Sequence, residues 1–187
     1  MIFGQPKQLP DGRYYLKVST DEESKVIVQL NNVTLVTPFA SGDTVTLTLK
    51  NGDSITSIDS EVIEAAKVNS TSWFGKEVQA KTLEAAYSRS IDSTATMNVS
   101  KSTANRKLTT TAFDHNKQQI DPNTLDENTV CDVLLEFSGV WFMKKTFGPI
   151  WRLVQVRRKK PTKVVAYMFK DGDEAEDDDE ENDSDYV

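Results

Sequence analysis

From Lys144 to Lys170 the chain carries nine basic residues and no Asp or Glu. They are Lys144, Lys145, Arg152, Arg157, Arg158, Lys159, Lys160, Lys163 and Lys170. Phe147, Trp151, Tyr167 and Phe169 are interleaved, and Trp141 and Phe142 stand just upstream. Cations set between rings suit a surface that holds a polyanion, because the cations meet phosphates and the rings stack on bases of any identity. Lys144, Lys145, Arg152, Arg157, Arg158, Lys159 and Lys160 are the candidate phosphate contacts. Trp141, Trp151 and Phe147 are the candidate stacking rings. Successive residues of a strand face opposite sides, so Trp141 and Phe142 cannot both line one groove. Large aromatics also dominate cores, so each ring has core packing as its alternative. Lysines on a strand edge block edge-to-edge aggregation, yet nine cations without an acid exceed that need. Arg157-Arg158-Lys159-Lys160 also fits a nuclear-localisation signal.

From Asp171 onward every charge is negative. Asp171 to Val187 holds 11 acids, which leaves 18 acids against 22 bases in the first 170 residues. The net charge of −7 therefore averages a mildly basic body and a strongly acidic end. The sequence predicts one domain over residues 1–170 and a disordered tail over 171–187, too charged to bury a core. The tail residues Asp177, Asp178, Asp179, Glu180, Glu181, Asp183, Asp185 and Tyr186 are candidates for partner binding.

Catalytic signals are weak. His115 is the only histidine and Cys131 the only cysteine, so no disulfide and no cysteine-based metal site is expected. No phosphate-cradling glycine motif, nucleophile elbow or His–Glu zinc helix is present. The reading is non-enzymatic, with no metal and no cofactor. No apolar run reaches the roughly 18 residues of a membrane span, and the first residues lack a signal-peptide pattern, so the expectation is neither membrane association nor secretion.

The elements that must position these residues read mainly as strands. Arg13–Val18 alternates, with Tyr15 beside Arg13 and Lys17 on one face and Tyr14, Leu16 and Val18 on the other. Lys25–Leu30 and Val33–Thr37 are β-branched strands separated by Asn31-Asn32. Thr44–Lys50 alternates cleanly and is followed by Asn51-Gly52, a hairpin signal, with Ser54–Ile58 as the returning strand. The period then changes to helical, from a Ser60 cap and again over Glu77–Tyr87. The Ser/Thr-rich stretch 88–111 reads as a mobile loop closed by a strand at Leu108–Phe113. Val130–Phe142 is a long strand with Val133, Leu135 and Phe137 inward and a bend at Gly139. Lys144–Pro149 is a basic turn, Ile150–Arg157 the partner strand, and Val164–Phe169 a last short strand. The sum is a mainly β, OB-fold-like Greek-key barrel with a helical insertion.

Two stretches carry a family resemblance. One is Ser72-Trp73-Phe74-Gly75-Lys76 with the helix after it. The other is Val133-Leu134-Leu135-Glu136-Phe137-Ser138-Gly139-Val140-Trp141-Phe142 followed by Phe147-Gly148-Pro149-Ile150-Trp151-Arg152-Leu153-Val154-Gln155-Val156. The second block resembles the closing hairpin of the replicative single-stranded DNA-binding proteins of nucleocytoplasmic large DNA viruses. These are in turn similar to the single-stranded DNA-binding proteins of short-tailed phages. The resemblance implies an OB-fold core that binds single-stranded DNA in viral replication, recombination or repair, without sequence preference. It implies an acidic tail that competes with DNA and recruits viral replication proteins, a polymerase or a primase-helicase. It further implies residence in the host nucleus or a cytoplasmic replication site, with a homodimer as one possible assembly. In the phage-type proteins the tail ends on an aromatic residue; here Tyr186 is penultimate and Val187 last. The other reading is an interaction or virion protein whose acidic tail binds a basic partner.

Overall fold

Val130–Phe142 forms one unbroken strand of 13 residues, and its alternation builds the molecule around it. Val133, Leu135 and Phe137 point into the core, each 1% exposed or less. Alternation of apolar side chains of this kind pins the register, since a one-residue slip would put Val133, Leu135 and Phe137 on the wrong face.

The structure is a computed structural model and describes residues 1–10 and 12–160. The strand expected at Val164–Phe169, the boundary at residue 170 and the acidic tail lie outside the described residues. In chain order the elements are β1 (Ile2–Phe3), β2 (Lys7–Gln8), β3 (Tyr14–Ser19), β4 (Val26–Leu35), β5 (Thr44–Thr48), α1 (Asp53–Val68), α2 (Ser70–Phe74), α3 (Ala80–Ala86), β6 (Thr96–Lys101), β7 (Thr103–Ala104), β8 (Lys107–Leu108), β9 (Thr111–Phe113), β10 (Gln119–Ile120), β11 (Val130–Phe142) and β12 (Phe147–Arg158).

Strands β4, β5, β6, β12 and β11 pair in that order, and β11 returns to β4, closing a barrel. Only β6 and β12 run parallel within this ring. In chain order the ring reads first, second, third, fifth, fourth, which is the Greek-key arrangement of an OB-fold. The helices enter between the second and third barrel strands. The long hairpin reaches beyond the ring. The upper half of β11 pairs with β3, and the lower end of β12 pairs with β9, which carries β10.

Gly139 makes the β3 contact possible. A Cβ there would collide with the Leu16 carbonyl oxygen and the Tyr15 ring. The ladder between β11 and β12 slips at Phe137/Gly139, which shifts the phase so that Val140 and Phe142 face inward. The bend expected at Gly139 is this bulge.

Three local expectations give way to the fold. Asn51-Gly52 does not turn a hairpin, and Ser54–Ile58 is not a strand. Gly52 has φ −117°, so the left-handed geometry of a type I′ turn is absent. Instead the Asn51 side-chain oxygen accepts the Asp53 N–H at 2.9 Å, and α1 begins there. Ile55, Ile58, Val62, Ile63 and Ala66 then share the buried face. Asn31-Asn32 does not separate two strands but bulges one, with Asn32 at φ 55°. The stretch 88–111 contains a barrel strand, β6, which the burial of Met97 and Val99 against β5 holds in place.

One end of the barrel is closed by rings. Phe142 and Phe147 stack at 5.9 Å and 9°. Trp73 and Phe74 of α2 meet them edge-on, at 5.8 Å from Phe142 and 5.3 Å from Phe147 respectively. Asp59 of α1 is buried and accepts the Tyr87 hydroxyl at 2.7 Å and the Ser90 N–H at 2.9 Å. Burial, and then the Asp59 charge, push the Tyr87 hydroxyl far above its ordinary pKa. The helices are thus tied to the sheet by a satisfied buried carboxylate as well as by packing. Among the described residues, no helix is long and apolar enough to cross a membrane.

Candidate nucleic-acid interface

The outward face of the β11–β12 hairpin carries two acids, and both are answered. Asp132 lies opposite Arg157 in the register, and Glu136 opposite Arg152. Asp132 Oδ2 receives Arg157 Nη2 at 2.6 Å and Lys159 Nζ at 2.8 Å, and Oδ1 receives the Asn32 N–H at 3.1 Å. Burial alone would raise the Asp132 carboxyl, but the Lys159 and Arg157 bonds and the backbone N–H outweigh it and hold the group below the usual range. Glu136 Oε2 receives Lys25 Nζ at 2.8 Å, leaving Arg152 exposed at mid-face.

The expected cations are therefore spread along the strands rather than gathered. Lys144 and Lys145 sit in the tip turn, which the Met143 N–H closes onto the Thr146 carbonyl at 2.8 Å. Both are exposed, and neither has an ion pair among the described residues. Arg157, Arg158, Lys159 and Lys160 lie at the other end, about 35 Å of strand away at the usual rise per residue. There Arg158, Lys159 and Lys160 line a cleft of about 610 Å³ with Lys50, Asn32 and Asn128, and among the described residues no acid lines it.

The candidate rings divide. Trp141 is partly exposed and faces outward between Tyr15 and Gly148 in the register. Gly148 gives the indole room, because a Cβ there would come within 2.9 Å of Trp141 Cζ2. Trp141 lines a second cleft of about 370 Å³ with Arg89, Asn98 and Pro149. Trp151 and Phe147 are corrections to the expectation of stacking rings. Trp151 is 4% exposed, pairs inward with Phe137 at 5.2 Å, and donates its indole N–H to Ser90 Oγ at 2.8 Å. Phe147 is 1% exposed, held between Phe142, Phe74 and Tyr87. Both offer their faces to the core, so neither has one left for a base.

A face of this kind can hold an extended polyanion and its planar groups. His115 is exposed, and burial followed by the charge of Asp132 pushes the Cys131 thiol up to about 12. Among the described residues, no group of three His, Cys, Asp or Glu side chains is placed to hold a metal ion.

A family model described as a family of unknown function, DUF5871, matches residues 18–171. The chain belongs to that family. A search of curated proteins finds no match to this DUF5871 chain. Among solved structures, the single-stranded DNA-binding protein of bacteriophage Enc34 is similar, at 11% identity and TM-score 0.47, over 94% of this chain and 99% of that one. Its complex with single-stranded DNA gives 10% identity and TM-score 0.45, over 84% and 96%. The single-stranded DNA-binding protein gp2.5 of bacteriophage T7 gives 14% identity and TM-score 0.47, over 88% and 100%. The DUF5871 match starts inside β3 and takes in every barrel strand.

Several residues of the DUF5871 face were not singled out from sequence. Tyr15 faces outward, and its hydroxyl donates to the Ser138 carbonyl at 2.8 Å. The alternation of Arg13–Val18 had already put it on the polar side with Lys17, so the signal was present. Lys50, Lys117 and Phe113 carried no local signal, because they join the face only when β5 and β9 are docked against distant strands.

Proposed function

We propose that this chain binds single-stranded DNA along the outer face of the barrel, largely without regard to sequence. The strand runs from the Lys144–Lys145 tip, past Trp141, Tyr15 and Arg152, toward the cleft of Lys50, Arg158 and Lys160. One observation carries this reading: exposed cations recur along the β11–β12 hairpin, whose own two acids, Asp132 and Glu136, are already ion-paired, and a partly exposed indole stands among them. Phosphates need uncompensated cations, and single strands present unstacked bases that a ring can take up. Each stacked base contributes about 1–3 kcal/mol.

The role is part of the same proposal. A protein that coats single strands without cutting them serves the replication, recombination or repair of viral DNA, wherever in the host cell that DNA is copied. The tail from Asp171 mimics a phosphate backbone, occupies the cationic face when DNA is absent, and is released to engage replication proteins. The test is the salt dependence of oligo-dT affinity. Each phosphate neutralised on a single strand contributes about −0.7 to the log–log slope, so four contacts give about −3. Truncation after Lys170 tightens binding. An affinity that ignores salt contradicts the reading.

A further inference from the structure

The face holds a third cleft, of about 310 Å³, whose lining differs from the other two. It lies where β4, β11, β12 and β9 meet side by side. Leu134 is its floor, flanked in the register by Gln29 on β4 and Gln155 on β12. The two glutamine backbones stand about 9–10 Å apart, two strand spacings across the sheet. One row further along, Arg157 and Phe113 are register partners, and Lys117 completes the rim.

The polar groups are already oriented. Gln29 donates its amide to Asn31 Oδ1 at 2.9 Å, and Gln155 donates to Thr111 Oγ1 at 3.2 Å. Neither glutamine carbonyl oxygen has a partner among the described residues. The Arg157 guanidinium is held by Asp132, so it stands over the cleft instead of swinging into solvent. The cleft thus has an apolar floor, an aromatic wall, two open acceptors and a cationic rim. Its volume is at the small end of the roughly 300–1,000 Å³ of small-molecule sites, which suits one nucleoside and not a run of them.

We infer that this cleft is a subsite for a single nucleobase bearing an exocyclic amino group, with its edge on Gln29 and Gln155. The inference rests on the reading of the face as a single-strand binder. It adds a local base preference to an otherwise base-blind surface. An amino group supplies two donors to the two waiting carbonyl oxygens. Thymine, with one ring N–H between two carbonyls, presents mostly acceptors to acceptors. The base plane rests on Leu134 beside Phe113, and its phosphate meets Lys117.

The experiment compares oligo-dC with oligo-dT of equal length on the full chain and on the double variant Gln29→Ala, Gln155→Ala. Both are pyrimidines, so stacking and phosphate contacts largely cancel. The double variant lowers the dC-to-dT affinity ratio by about tenfold, the equivalent of one or two hydrogen bonds. Its affinity for oligo-dT stays within about twofold, and its urea midpoint matches the parent. An unchanged ratio, or an equal loss on both oligonucleotides, overturns the base subsite and leaves single-strand binding standing. Absence of binding to either oligonucleotide by the parent chain overturns both.

Discussion

The two ends of the β11–β12 hairpin are alike in composition and opposite in use. At the tip, Phe142 and Phe147 stack beneath the helices, and the turn joining them lifts Lys144 and Lys145 into solvent. At the open end, Arg157 and Lys159 converge on one buried carboxylate, that of Asp132, while Arg158 and Lys160 face a cleft with Lys50. A cation's availability is therefore set by the strand beside it. The two lysines of the tip stay open, whereas two of the four cations at the other end, Arg157 and Lys159, are drawn into a structural ion-pair cluster.

The comparison can be broken first at the tip. Phe147→Ala removes a ring packed against three others, and its stability loss should be about 3–5 kcal/mol in urea unfolding. A loss below about 1 kcal/mol, the ordinary effect of an arbitrary substitution, would show that the tip is not a packed core.

Asp132→Asn probes the other end, with effects of opposite sign on stability and affinity. Stability at neutral pH falls by about 1–2 kcal/mol, discounted because Arg157 and Lys159 are partly solvated. Affinity for oligo-dT rises several-fold, because two cations are released toward the strand. The folded Asp132 carboxyl lies below its unfolded value. Its stabilisation is therefore complete above the unfolded value of about 3.9 and is lost as pH falls through the lower folded one. The acid limb of the stability curve flattens in the variant. A parallel curve would remove Asp132 from the account.

Smaller effects sharpen the contrast. Lys144→Glu with Lys145→Glu leaves stability within about 0.5 kcal/mol and weakens oligo-dT binding. The magnitude of its salt slope falls by about 1.4 if each lysine meets one phosphate. Least of all, the Cys131 thiol, held near 12 by burial, reacts with a thiol reagent only on unfolding. Rapid labelling of the native chain would contradict the packing of β11.

The long hairpin was legible in the sequence because its signal is local: Val133, Leu135 and Phe137 alternate, and Gly139 interrupts. The stretch 88–111 was not. Thr96, Asn98 and Ser100 form the outer face of β6, and only pairing with β5 reveals Met97 and Val99 as core. Asn51-Gly52 misled for a physical reason: the same dipeptide that turns a hairpin also caps a helix, and the apolar period after it decides which. At the site, residue type marked Trp141 and the cations as candidate contacts, and the structure leaves Trp141 partly exposed. Residue type could not separate Trp141 from Trp151, since that depends on which side of the bulge each ring falls. The pairing of Arg157 with Asp132 joins residues 25 positions apart and became visible only in the register.

The most direct test of the central claim is intrinsic tryptophan fluorescence under oligo-dT titration. Trp73 and Trp151 are buried at 7% and 4% exposure, while Trp141 stands on the face. Oligo-dT should quench the parent chain, and Trp141→Phe should lose most of that quench while remaining folded. A quench that survives in Trp141→Phe, or none in the parent, would contradict a single strand lying across the outer face of the β11–β12 hairpin.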